Sequence, residues 1–496
     1  MTVAQTKAGR VQGLRAHGIE IFLGLRYAAA PTGALRFCAP ESARPWDGVA
    51  DATRHAHRAI QGQPCCPELL GAMGPGTISE DCLFLNIFTP HADAGRRPVL
   101  FWIHGGGLIA GSANDFDGAN LAAAGDVVVV CINYRLGFLG FLDLSAYGDR
   151  FRGSASNGYR DQIAALVWVR DNIAAFGGDP DNVTIIGQSA GGGSVRALMA
   201  APGADGLYHK AIVMSPGAPT GPPVDYSDYL RSELGVDDQH LIERLYALSA
   251  EQMLDLQNRS AFVGSGAIDG VVVTRSTAQA IRERGCVPLI AGTTKNEGAM
   301  MNAVLEDLMD ASARAPNSPM MKNIASMIMR GGDGQAYCAR LRAAHPDADE
   351  RKLSEFIWTD LMRQQAIEVV ETASRCGIDA WLYRFDIASP IRQGALGATH
   401  VVDVPFVFNN FDWAVPPISR QDPRNEAVRR IGATWSQALA RFARTGDPNG
   451  PGLPFWPRHS PTDRHCLVID TEPHVEIDLD KTHRALWHED AELVEA

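Results

Sequence analysis

A chain of 496 residues, 46% of them apolar, can bury a large core, which excludes a disordered polypeptide. Its formal net charge of −12 leaves no basic stripe for nucleic acid or an anionic membrane surface, so neither partner is expected. No apolar run reaches the length of a membrane span. The opening stretch MTVAQTKAGRVQGLRAHG lacks the apolar segment of a secretory signal. Nine cysteines, an odd number, are then read as reduced thiols of a cytoplasmic protein.

Taken in chain order, residues 98–103 (PVLFWI) and 126–133 (DVVVVCIN) are short apolar runs suited to central strands, with Cys131 as a small core hydrophobe. Between 159 and 175, Ile163, Leu166, Val167, Val169 and Ile173 follow a helical period, and Gly177 supplies the stop. Residues 183–186, 210–215 (KAIVMS), 288–293 (PLIAGT) and 380–385 (AWLYRF) read as further strands. Strands alternating with amphipathic helices predict an α/β fold whose sheet is mostly parallel and covered on both faces. Segments 218–285 and 300–378 are rich in helix-period Leu, Met and Ala, and are read as helical insertions roofing the site. With no linker, charge block or repeat, residues 1–496 are expected to form one catalytic unit. Methionines at 300, 301, 309, 320, 321, 327 and 329 fit either adaptable helix packing or a soft apolar wall beside the substrate.

The segment FGGDPDNVTIIGQSAGG, residues 176–192, centres a G-x-S-x-G box on Ser189. Its order of strand, sharp turn and helix predicts a nucleophile elbow, in which side chains at Gly187 and Gly191 would clash. A serine hydroxyl is a poor nucleophile at neutral pH and needs a base, a group to orient that base, and donors for the oxyanion. WIHGGGLIAG, residues 102–111, follows a strand, and its three glycines leave backbone N–H groups unobstructed. Spacing alone selects none of the 14 histidines as base; His104 suits loop packing better than proton transfer.

These stretches resemble the type-B carboxylesterases, the family that also contains cholinesterases and bacterial p-nitrobenzyl esterases. EDCLFLNIFTP (80–90), NYRLGFLGF (133–141), DQIAALVWVRDNI (161–173), ARTGDPNG (443–450) and FWP (455–457) carry the same resemblance, from about residue 8 to residue 470. The resemblance implies an α/β-hydrolase fold and hydrolysis of a small uncharged carboxylic ester through an acyl-enzyme on Ser189, without metal or cofactor. It implies the triad acid at Glu297, in TTKNEG, and the base at His400, in GATHVVDVPFVF, in the order Ser, Glu, His. Oxyanion N–H groups fall on Gly106, Gly107 and Ala190, and structural ion pairs on Arg36 with Glu80 and Arg135 with Asp179. His400 must be neutral to take the serine proton, so activity is expected to fall below about pH 6–7.

Several positions depart from the family pattern. Gln188 stands where many relatives have glutamate, and the stretch from Cys66 to Cys82 has no aromatic residue for a quaternary ammonium, so choline esters are poor candidates. Secreted relatives join the positions of Cys66 and Cys82 by a disulfide; without an export signal, thiols are expected here. Gly217, in MSPG, replaces a serine expected to help hold the acid and histidine, and Leu108 replaces a common phenylalanine. Two other readings use the same fold: an amide or carbamate hydrolase or acyltransferase with the same triad, and a non-catalytic adhesion-type relative.

Overall fold

Side-chain alternation along the strands decides the architecture. The computed structural model describes residues 1–217, 221–260, 266–411 and 416–487. Among them run β1 (Thr2–Gln5), β2 (Arg10–Ala16), β3 (Ile19–Arg26), β4 (Val49–Asp51), β5 (Phe84–Thr89), β6 (Arg97–Ile103), β7 (Val128–Ile132), β8 (Gly178–Gln188), β9 (Lys210–Met214), β10 (Leu289–Thr294), β11 (Ala380–Phe385), β12 (His465–Ile469) and β13 (His474–Ile477). They form one sheet in the order β1-β2-β3-β5-β7-β6-β8-β9-β10-β11-β12-β13, with β4 beside β2. From β7 to β12 every neighbouring pair is parallel, and antiparallel strands close both ends. The expected mostly parallel sheet is therefore present.

The period of two in a strand sends alternate residues of β6 to opposite faces. Val99, Phe101 and Ile103 join one core, and Leu100 and Trp102 the other. Burial on both faces is why these strands read as continuous apolar runs. The helices that cover them include α1 (Asn157–Asn172), α2 (Ala190–Ala200), α3 (Thr277–Arg284), α4 (Glu297–Leu308), α5 (Glu350–Arg375) and α6 (Glu426–Thr445). Helices α1, α2 and α5 contribute Leu166, Val195 and Val370 to the first core. Along α6, Val428, Ile431, Trp435, Leu439 and Phe442 form one stripe buried in the second. Each such side chain contributes about 1.5–3 kcal/mol when fully buried. Gly177 ends the helical stretch after α1 in the left-handed conformation, as predicted.

The two helix-rich segments need a correction. Residues 218–220 and 261–265 of the first lie outside the described residues, as do 488–496 of the whole chain. The second, 300–378, does not simply roof the site: its last part is α5, which packs directly on β10 and β11. Parallel neighbours need a crossover, and α5 is that crossover. Met321 and Met329 are buried in the core under these helices, and Met300 fills a satellite cluster with Leu69, Leu396 and Ile418, so these methionines serve packing. No helix among the described residues is long and apolar enough to cross a membrane.

Candidate active site

Ser189 sits where β8 ends and α2 begins, with φ 60° and ψ −124°. For a residue other than glycine that conformation costs of order 1–3 kcal/mol, so the surroundings must impose it. They do so through backbone contacts: Ser189 N–H donates to Met214 O at 3.0 Å, and Gly193 N–H donates to Ser189 O at 2.9 Å. A Cβ on Gly191 would stand 2.0 Å from Ile103 O, and one on Gly187 would stand 2.4 Å from the Gly191 backbone. Both glycines are there because strand and helix cross too closely for a side chain.

The glycine loop 105–107 faces this turn. A Cβ on Gly105 would lie 2.8 Å from Gln188 O and 3.0 Å from Ser189 Cβ, and one on Gly106 would lie 2.2 Å from Ala110 O. The N–H groups of Gly106 and Gly107 have no hydrogen-bond partner among the described residues. Ala190 is the first residue of α2, so its N–H has no acceptor within the helix. Gln61 clamps the far end of the loop: its Nε2 donates to Gly111 O, and Gly111 N–H donates to its Oε1, both at 2.9 Å. A buried Arg58–Asp115 pair supports it further, with Nη2 to Oδ2 at 2.7 Å. His104 is fully buried and stacked on Tyr134, and burial lowers its pKa to about 4, so it stays a neutral packing residue.

Glu297 begins α4, just after β10, and His400 lies on a loop after β11. A single bridge between Asn296 and Thr399 joins the two loops, reinforced by Asn296 N–H donating to Ala398 O at 2.8 Å. His400 Nδ1 then lies 2.5 Å from Glu297 Oε2, and both side chains are completely buried. The other carboxylate oxygen accepts the Thr294 N–H at 2.6 Å. Burial alone would raise the Glu297 pKa, but His400, Ser215 and Thr294 together hold it below the ordinary glutamate range. The Gln188 amide nitrogen lies 3.2 Å from His400 Nε2 and 3.5 Å from its Nδ1. Val401, next to His400, has φ 69°, a strained value for a β-branched residue.

Three contributors carried no usable sequence signal. Ser215 is close enough to Glu297 to help hold its carboxyl down, but its Oγ makes no hydrogen bond among the described residues, so it does not stand in for the serine missing at Gly217. Asp403, also fully buried, accepts from Tyr383 Oη at 3.2 Å; burial and then the Glu297 charge push its pKa up to about 7. Gln61 is the third.

Of the two predicted ion pairs, Arg36 and Glu80 meet, with Nε to Oε2 at 2.8 Å and a second contact from Nη2 to Oε1. Arg36 also donates to Leu248 O at 2.8 Å, tying a helical insertion to the loop between β3 and β4. The second prediction is wrong. Arg135 pairs with Asp161, donating from Nε at 2.8 Å and Nη2 at 2.7 Å, while Asp179 pairs with Arg96. Asp161 lies on α1 beneath Arg135, within the core, whereas Asp179 sits at the outer end of β8. Cys66 and Cys82 are separate thiols, one in the satellite cluster and one in the main core. Cys66 is also the centre of a group of metal-ligating type with Glu68 and Asp307, but burial pushes its thiol up to about 12, which disfavours the thiolate a metal requires.

A serine raised on a strand-to-helix turn at the end of a central parallel strand, followed in the chain by a buried carboxylate and histidine, defines an α/β-hydrolase. A model of the carboxylesterase family matches residues 1–487, and the chain belongs to that family. It is 32% identical to the para-nitrobenzyl esterase of Bacillus subtilis (strain 168), over 97% of each chain. It is 34% identical to the phenmedipham hydrolase of Pseudarthrobacter oxydans, over 95% of each. The crystal structure of the Geobacillus stearothermophilus carboxylesterase EST55 superposes with a TM-score of 0.84 at 34% identity, covering 98% of this chain and 100% of that one. The chain is accordingly a carboxylic ester hydrolase.

Proposed function

We propose that the chain hydrolyses uncharged carboxylic esters through an acyl-enzyme on Ser189, with His400 as general base and Glu297 as the group that orients it. The observation that carries this reading is the buried contact of 2.5 Å between His400 Nδ1 and Glu297 Oε2. A proton held at Nδ1 leaves Nε2 as the acceptor on the side of the serine turn. His400 takes the Ser189 proton as the hydroxyl oxygen attacks the ester carbonyl. The developing oxyanion is met by the N–H groups of Gly106, Gly107 and Ala190, each worth about 10²–10³ in turnover in sites of this kind. His400 then gives its proton to the leaving alcohol, and repeats the cycle with water to release the acid. Glu297 stays ionised throughout and stabilises the imidazolium.

The amide at Gln188 puts no charge beside His400, which favours a neutral alcohol over a choline. Residues 1–496 act as one catalytic unit in this reading. The separate thiols at Cys66 and Cys82 fit a reducing compartment, the cytoplasm. The test is turnover of p-nitrophenyl esters from acetate to decanoate by the parent and by Ser189→Ala. Activity in the parent that falls by at least about 10³ in the variant is the expected result. Activity retained in a folded Ser189→Ala protein overturns the assignment.

A further inference from the structure

Helix α2 carries Ser189's turn at one end and, about two turns further along, Arg196, which lines a different cavity. That cavity has a volume of about 520 Å³, within the range of small-ligand sites, and includes none of the groups assigned to ester hydrolysis. Its walls come from α2, the start of α3, one face of α5 and the helix Pro319–Ile328 with the turn that follows.

The charges in it do not cancel. Arg196, Arg282 and Arg330 face a single carboxylate, Glu368. Glu368 is already held by both Arg196 and Arg330, each at 3.0 Å, so an excess of two positive charges remains. Arg282 has no ion pair among the described residues. Arg196 is only 5% exposed; its Nη1 donates to Gln365 Oε1 at 2.5 Å, while its Nε has no partner. Burial lowers the pKa of Arg196, a cost that an additional anion would reduce.

Two further features point to a ligand. Gln364, 6% exposed, lines the cavity with an amide that has no hydrogen-bond partner among the described residues. Its amide is not sealed in, so it is open to a ligand that enters the cavity. The N-terminus of α3 also opens here: Ser276 caps the Gln279 N–H, and the N–H groups of Thr277 and Ala278 add the positive end of the helix. Ile268 and Met327 supply an apolar wall beside these donors.

We propose that this cavity binds a small organic dianion, a phosphate monoester or a dicarboxylate with an apolar body. Two negative charges match the excess of two guanidiniums, and the apolar wall excludes a bare ion as the best occupant. The site extends the hydrolase beyond its ester chemistry and does not depend on which residues perform that chemistry.

The test is calorimetric titration of the full chain at low salt and pH 8 with phenyl phosphate, phthalate, inorganic phosphate and uncharged benzyl alcohol. We expect one equivalent of phenyl phosphate or phthalate to bind with Kd below about 1 mM, and to bind at least about tenfold more tightly than inorganic phosphate or benzyl alcohol. The tighter of the first two probes identifies the anion as phosphate monoester or dicarboxylate. Arg282→Gln, a change at the surface, and Gln364→Leu should each weaken binding at least about tenfold while p-nitrophenyl acetate turnover stays near the parent's. Ser189→Ala should bind the probe unchanged. The proposal is overturned if neither organic dianion binds at about 10 mM, or if inorganic phosphate binds equally well. It is also overturned if Arg282→Gln binds like the parent, or if Ser189→Ala abolishes binding.

Discussion

The Arg135 guanidinium and the Asp161 carboxylate are both withdrawn from water, whereas Arg96 keeps 61% of its side chain exposed, and this difference decides what each deletion costs. Asp161→Ala leaves a buried cation without its partner, for an expected loss of about 3–5 kcal/mol. Asp179→Ala loses a pair with a solvated arginine and a bond from the Asp181 N–H, and should cost only about 0.5–2 kcal/mol. Urea unfolding of the two variants measures both; equal losses would put the important partner back at 179. Asp403 gives a pH signature of opposite sign to that of Glu297. Its pKa of about 7 means that the folded protein keeps a proton that an ordinary aspartate has lost by about pH 4. Asp403 therefore favours folding fully below that pH, and its contribution is lost as pH rises towards 7. The lowered pKa of Glu297 does the reverse, adding stability above its ordinary value and losing it as acid protonates the group. Asp403→Asn cannot titrate, so its stability relative to the parent should climb by up to about 1.4 kcal/mol per pH unit between about 4 and 7, then level off. Unfolding curves across that range check it, and a difference that does not vary with pH contradicts the burial argument.

Among elements, the glycine loop and the serine turn are fitted to each other, and the sequence announced one side of that fit more clearly than the other. HGGG and G-x-S-x-G can be read because a tight turn admits so few residue types. The approach of Gly105 to Ser189 Cβ joins two segments more than eighty residues apart, and no local pattern encodes it. Gly105→Ala should push the loop from the turn, lowering kcat by about 10²–10³ with a stability loss of only about 1–3 kcal/mol. Steady-state kinetics beside thermal unfolding separate the two effects; a loss in KM alone would contradict the oxyanion role. The same limit explains Gln61 and the bridge between Asn296 and Thr399, which are pairings across the fold without any spacing rule. It also explains the misplaced partner of Arg135: Asp161 lies within α1 and Asp179 on the strand that follows it, and only burial tells them apart.

For the whole molecule, the parallel sheet was legible because burial on both faces writes itself as unbroken apolar runs. What those runs could not show was which helices cross between strands and which lie above them. Seven parallel strands in chain order require six crossovers, and one of these consumed the end of a segment that composition alone presented as an insertion. The antiparallel strands at the two ends of the sheet are short or mixed in character and left no comparable trace.

The contact between Glu297 and His400 spans 103 residues, and that between Gln188 and His400 spans 212. Chain segments so far apart meet only after the sheet between them has assembled, because the entropy of closing such loops is lost before any local contact repays it. On refolding from urea, helical circular dichroism should return first and ester turnover last, with a measurable delay between them. Simultaneous recovery would mean that the two loops find each other early. Turnover thus serves as a clock that starts only when the slowest part of the chain has arrived.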